Sequence, residues 1–467
     1  MLKKSICVYF TIFAALVSVS ALAAETGKFY VSSSLGNDSN SGSISSPLKT
    51  FAKIPRESAE IYLKRGDVFT EPLHNIKNCL IDAYGEGPKP IICGFKHLKN
   101  KDAWESLGEG IWRLDLSKSE NFDGYNSPEE SRKAIFNNIG AIHDAATNTL
   151  HGHKVKKMSE MKSDWDFFQS ETFSSKDVSM ETFRYIYVKL PHSPSLNADL
   201  NFIPFQIGIQ NAKNCKIQNI AVRGFGRHGI TGLVNSTVEN VDIDAIGGSV
   251  HIGYKRWVRL GNGIEFWVSD GASGNNSTVK NCTISRTYDC GATIQGIGKK
   301  LPNPKSIKFL NNKFYHCRQA FEHFLTSEIP ADYIDCEFSG NIAFETGNNE
   351  FSSPEPRDMN LLSYETTNKS IKISGNIFYG GGIYFGVAWS NNISNNTCYV
   401  FEDNFLASSY QPQKIPPIPS DDIEAYRRRF NDSTSKIVVI KRGEREIRDK
   451  LKFNVELCKK PSQNDAK

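Results

Sequence analysis

From residue 212 onward, short apolar–polar alternations recur along the chain. Strands beginning at Ile217, Val238, Val279, Ile307, Ile334, Ile371 and Ile393 line up, and the shortest steps between them are 21 and 22 residues. Alternation at period two predicts strands with one buried face. A unit of that size repeated along the chain predicts coils that stack one on the next, with loops inserted where the step is longer. Asn219, Asn240, Asn281 and Asn395 fall at the third place of their strands, where stacked amides can bond along a ladder. A second strand in each coil reads His228-Gly-Ile-Thr, Asn262-Gly-Ile-Glu, Cys290-Gly-Ala-Thr and Gln319-Ala-Phe-Glu. With Ile230, Ile264, Ala292 and Phe321 turned inward, Thr231, Glu265, Thr293 and Glu322 must face outward.

The pattern differs elsewhere. Phe29–Val31 and residues 61–69 read as strands on either side of a turn-rich loop, and CLIDAY, PIICGF and GIWRLDL (79–116) read as further strands of the stack. Residues 116–200 are charged, richer in Met and Trp and poor in turn signals, so they read as an excursion, either loops over one face or a small separate domain. Residues 406–467 lose the repeat. QPQKIPPIPSDD breaks the chain, IEAYRRRF suggests a short helix with Arg427–Arg429 on a solvated face, and SKIVVIKR suggests a strand.

Residues 1–23 have the form of a secretory signal: Lys3 and Lys4, an apolar run from Ile6 to Val19, then Ala21-Leu22-Ala23. No later run is long enough to span a bilayer, so a secreted or periplasmic protein is expected. The net charge of +5 becomes +3 once the two signal lysines are removed, a mild and interspersed balance that excludes a dedicated nucleic-acid binder. Ten cysteines, one in the signal, leave an odd number, so at least one thiol is free. Cys215, Cys282 and Cys336 recur at matching places and read as small buried residues; Cys79 and Cys93 are a weak candidate bridge.

Tyr30, Val31, Gly36, Asp38, Asn40, Gly42, Pro47 and Thr50 form a line, followed by LKRGDVF at 63–69, that resembles the opening of secreted right-handed parallel β-helix proteins. The block RLGNGIEFW…YDCGATIQG is similar to one in bacterial members of that family, which resemble pectate and alginate lyases and polygalacturonase-type hydrolases. The resemblance covers roughly 30–70 and 205–400. It implies an all-β, right-handed parallel β-helix with an N-terminal helical cap (24–115 with the first coils), the excursion at 116–200 and the helix core at 201–405.

The expected active wall carries Glu265 and Glu322, two coils and roughly 10 Å apart, with Asp289 beside them. That spacing brackets the carboxyl separation of an inverting glycosidase. Arg256, Arg259 and Arg318 are candidate clamps for substrate carboxylates. Tyr288, Trp257 and Trp267 offer ring faces, and Gln295, Asn262 and His228 hydrogen bonds, whereas alternation turns His323 inward. No metal spacing stands out: no cofactor is expected, and Ca2+ lacks a clear acidic site. The expected function is cleavage of a polysaccharide, acidic in the first instance, by hydrolysis or β-elimination. A non-catalytic glycan-binding module and a polysaccharide epimerase are the alternatives.

Overall fold

The computed structural model describes residues 27–123, 137–173, 181–196, 199–254, 257–269, 274–344, 346, 351, 359–363, 369–379, 383–387, 400–409 and 432–440. The signal segment, Arg256, Asn395 and Arg427–Arg429 lie outside them.

The chain is a right-handed parallel β-helix, the hand that parallel crossovers adopt. Three parallel sheets form its walls. Gly27–Val31 and Ala59–Lys64 start the first wall, Val68–Phe69 the second and Leu73–Lys77 the third, before Leu80–Tyr84 returns to the first. The first and second walls reach ten strands each and the third eight among the described residues. Alternation puts one column per wall into a continuous core, in which Ile217, Val238, Val279, Phe309, Phe338, Ile373 and Phe401 stack on the first wall. The true partners of the later coils are therefore Phe309, Phe338 and Ile373, not Ile307, Ile334 and Ile371. Loops of unequal length between coils displaced the expected register.

Asn219, Asn240 and Asn281 take left-handed backbone angles (φ 59°, 53° and 56°), which Asn tolerates at a tight corner. Asn240 Nδ2 donates to Asn219 Oδ1 at 2.8 Å. A second, buried ladder runs through Asn312, Asn341, Asn376 and Asn404. Each of the first three donates Nδ2 to the next Oδ1, at 3.0, 3.1 and 2.9 Å, and to a backbone carbonyl below. Asn404 closes the line on Ile373 O.

The resemblance implied a helix at the capped end; the described chain has only a 3₁₀ turn at Phe51–Lys53, with Thr50 as N-cap. Asp38 accepts from Lys49 N, Thr50 N and Thr50 Oγ1, which fixes the loop to that turn. Phe405–Ser409 and Lys436–Ile440 still pair in the second wall, so the repeat continues past 405. The seven described cysteines are all free, Cys79 and Cys93 included.

The excursion starts earlier than its composition suggests. After Ile91–Cys93 the chain leaves the corner between the second and third walls and returns at Ile207. In between it forms two antiparallel sheets. One orders Phe122–Asp123, Lys96–Leu98, Leu200–Phe202, Ile142–Asp144 and Thr149–His151; the other orders Phe167–Phe168, Tyr185–Lys189, Ile111–Asp115 and Glu105–Gly108. GIWRLDL thus belongs here and not to the stack. Leu98, Leu114, Phe122, Ile142, Phe167, Ile186 and Phe202 give the excursion its own core, so it is a subdomain and not loops. It docks on the corner it left: Ser249 Oγ donates to Asn138 O (2.6 Å), and Arg223 and Arg286 reach Asn148 Oδ1 (2.7 and 3.3 Å).

Candidate active site

On the third wall, Thr231, Glu265, Thr293 and Glu322 occupy successive rungs of one outward column, and Ile230, Ile264, Ala292 and Phe321 the neighbouring inward one. This is the register expected from the sequence. Both glutamates stand on one wall with Thr293 between them. Neither is openly solvated, however: Glu265 is 8% and Glu322 7% exposed. Strand alternation gives the direction of a side chain and cannot reveal this burial.

The two carboxyl groups have opposite surroundings. Glu265 is held as an acceptor: Asn262 Nδ2 (3.0 Å) and Gln295 Nε2 (2.8 Å) donate to Oε1, and Thr231 Oγ1 (3.1 Å) donates to Oε2. His228 Nε2 stands 3.6 Å from Oε2. Asn262 N points at His228 Nδ1 (3.4 Å), which assigns the imidazole proton to Nε2, toward Glu265. Burial lowers the His228 pKa and keeps the ring neutral. Glu322 is pushed up to about 8, first by burial and then by the negative charge of Asp289. Cys290 Sγ lies 3.0 Å from Glu322 Oε2 and 3.3 Å from Gln319 Oε1, and burial holds its thiol protonated. At the corner, Arg318 Nη1 is 3.9 Å from Asp289 Oδ1, and both are more open than the glutamates.

Asn262 and Gln295, expected to contact substrate, spend amide donors on Glu265 and so position it. Arg259 is no substrate clamp. Buried, it donates to the carbonyls of Gly248 (2.6 Å), Gly140 (2.8 Å), Gly152 (2.9 Å) and Phe351 (3.3 Å) and lies 4.2 Å over the Tyr288 ring. Tyr288 is correspondingly packed between Arg259 and Phe351, its face closed to sugar. The Trp257 ring is covered by Lys156 Nζ at 5.3 Å. Trp267 remains 44% exposed. His323 is buried and stacks on Phe321.

Cys290 and Gln319 were missed as site residues, although the aligned strands already contained the signal. His228, Asn262, Cys290 and Gln319 each stand three places before an outward residue; His228 and Asn262 reach Glu265, Cys290 reaches Glu322, and Gln319 meets Cys290.

Asp289, Cys290 and Glu322 are the His/Cys/Asp/Glu group among the described residues whose ligand atoms lie within 4.8 Å of one another. One of the three already has a counter-ion, since Arg318 faces Asp289. No helix among the described residues is long and apolar enough to cross a membrane.

No family model matches the chain, and no curated protein matches it. Solved structures do resemble it. A GH136 lacto-N-biosidase from Eubacterium ramulus aligns with TM-score 0.42 and 14% identity over 89% of this chain and 68% of its own. A hyperthermoactive exopolygalacturonase from Thermotoga maritima aligns with TM-score 0.33 and 9% identity over 82% of this chain and 74% of its own.

Proposed function

We propose that the third wall hydrolyses a glycosidic bond, with Glu322 as general acid and Glu265 as general base. The observation that carries this reading is the pair of carboxyl groups two rungs apart in contrasting environments, one kept protonated by burial and one held as an acceptor by three donors. Separated environments of this kind assign acid and base roles. Glu322 gives its proton to the departing glycosidic oxygen as the bond to the anomeric carbon breaks. Glu265 takes a proton from the water that attacks that carbon. Two rungs span roughly 10 Å at the backbone, room for a water and one sugar carbon between the side chains, so the product should have inverted configuration.

Elimination has less support. It needs a cation to neutralise a uronate carboxylate, and of the candidates among the described residues Arg259 is occupied by four carbonyls while Arg318 faces Asp289; Arg256 lies outside the described residues. The test is a panel of glycans, following new reducing ends together with the absorbance of unsaturated uronates. Reducing ends without absorbance, lost in Glu265→Gln and Glu322→Gln, support hydrolysis. Absorbance would select a lyase. Glycan binding without product would select a binding module.

A further inference from the structure

At the corner where the third-wall strands begin, the excursion is bonded to Ser249 and Arg259. At the other end of the strands lies Trp267, two residues beyond Glu265 on the same outward side, roughly 7 Å along the strand. Trp267, Gln295 and Phe324 share one column on successive rungs, so the amide that holds Glu265 stands between two aromatic side chains. Farther along, Ile297 is 56% exposed. A large ring left exposed beside paired polar groups is what a binding site presents to the apolar side of a ligand.

We propose that Trp267, in one column with Gln295 and Phe324, is the stacking platform for a sugar ring bound next to the scissile bond. The inference rests on the hydrolase reading. The ring's apolar face lies on the indole while its hydroxyls reach the paired polar groups.

The test compares Trp267→Ala and Trp267→Phe with the wild type on the best neutral oligosaccharide of the panel, with circular dichroism to check folding. Stacking predicts a KM at least tenfold higher in Trp267→Ala, read in KM more than in kcat, largely restored in Trp267→Phe. Binding is read independently by titrating folded Glu322→Gln and Glu322→Gln/Trp267→Ala with the neutral oligosaccharide. The second variant should bind about tenfold more weakly. A wild type that cleaves the neutral glycan with KM indifferent to Trp267→Ala overturns the platform and leaves the hydrolase reading standing. A wild type that neither cleaves nor binds any glycan removes both proposals together.

Discussion

At the scale of single residues, the opposed surroundings of Glu265 and Glu322 set expectations for rate, pH and stability. Replacing either by Gln should lower kcat by about 10²–10⁴, the range of a positioned acid or base. The roles separate by leaving group. An aryl glycoside that departs without protonation should recover most of the rate in Glu322→Gln and none in Glu265→Gln; equal behaviour of the two variants would refute the assignment. Glu322 must carry its proton to act, so activity should fall as pH rises through about 8. The same shift predicts stability. Its ionised form is penalised by folding, so the folded chain takes up a proton between its ordinary 4.5 and about 8, and stability is lost as pH rises through that window. Glu322→Gln cannot ionise and should melt at a higher temperature than the wild type above about pH 8, with the gap closing toward pH 4. An unchanged gap across a pH series of thermal melts would refute this account of the shift.

At the scale of elements, the stack is held by repeated small bonds that no single coil makes alone. Asn341 shows their size. Buried, it donates to Phe309 O and Asn376 Oδ1 and accepts from Asn312 N and Nδ2. Asn341→Ala would leave those groups buried without partners, a loss of about 2–4 kcal/mol. Urea unfolding should show it as a lower midpoint, whereas a loss under about 0.5 kcal/mol would mean that the ladder is incidental. This ladder was not legible in the sequence. Asn219, Asn240 and Asn281 stood out because each sits at a fixed offset from an easily read strand, but Asn312, Asn341, Asn376 and Asn404 begin corners, and identifying them requires the register. That register was readable at the third wall, where Gly or Ala before an inward residue recurs from 228 to 322. It slipped at Ile307, Ile334 and Ile371, where inserted loops vary and more than one apolar residue could lead the strand. Strand alternation decides which way a side chain points and says nothing about what later folds over it, so the sequence placed Glu265 and Glu322 on one wall and left their burial unseen.

At the scale of the whole molecule, the subdomain between Cys93 and Ile207 docks on the corner between the second and third walls. Its antiparallel strands alternate as solenoid strands do, which is why GIWRLDL passed for a coil and the boundary was set late. Partner choice, not pattern, distinguishes the two. Arg259 joins the parts: one guanidinium in the corner loop holds the carbonyls of Gly140 and Gly152 in the subdomain and that of Gly248 in its own loop. Hydrogen bonds from a buried charge contribute more than neutral ones, so Arg259→Ala should weaken the docking by about 3 kcal/mol. The solenoid core does not pass through this contact. The expected outcome is therefore local: limited proteolysis should cut between residues 94 and 206 well before the coils, and far-ultraviolet dichroism should change little. With the docking loosened, water would reach Asp289 and Glu322, lowering the raised Glu322 value and moving the basic limb of the pH–rate profile downward. A variant that resists protease and keeps the wild-type limb would show that the surroundings of Glu322 are set by the coils alone.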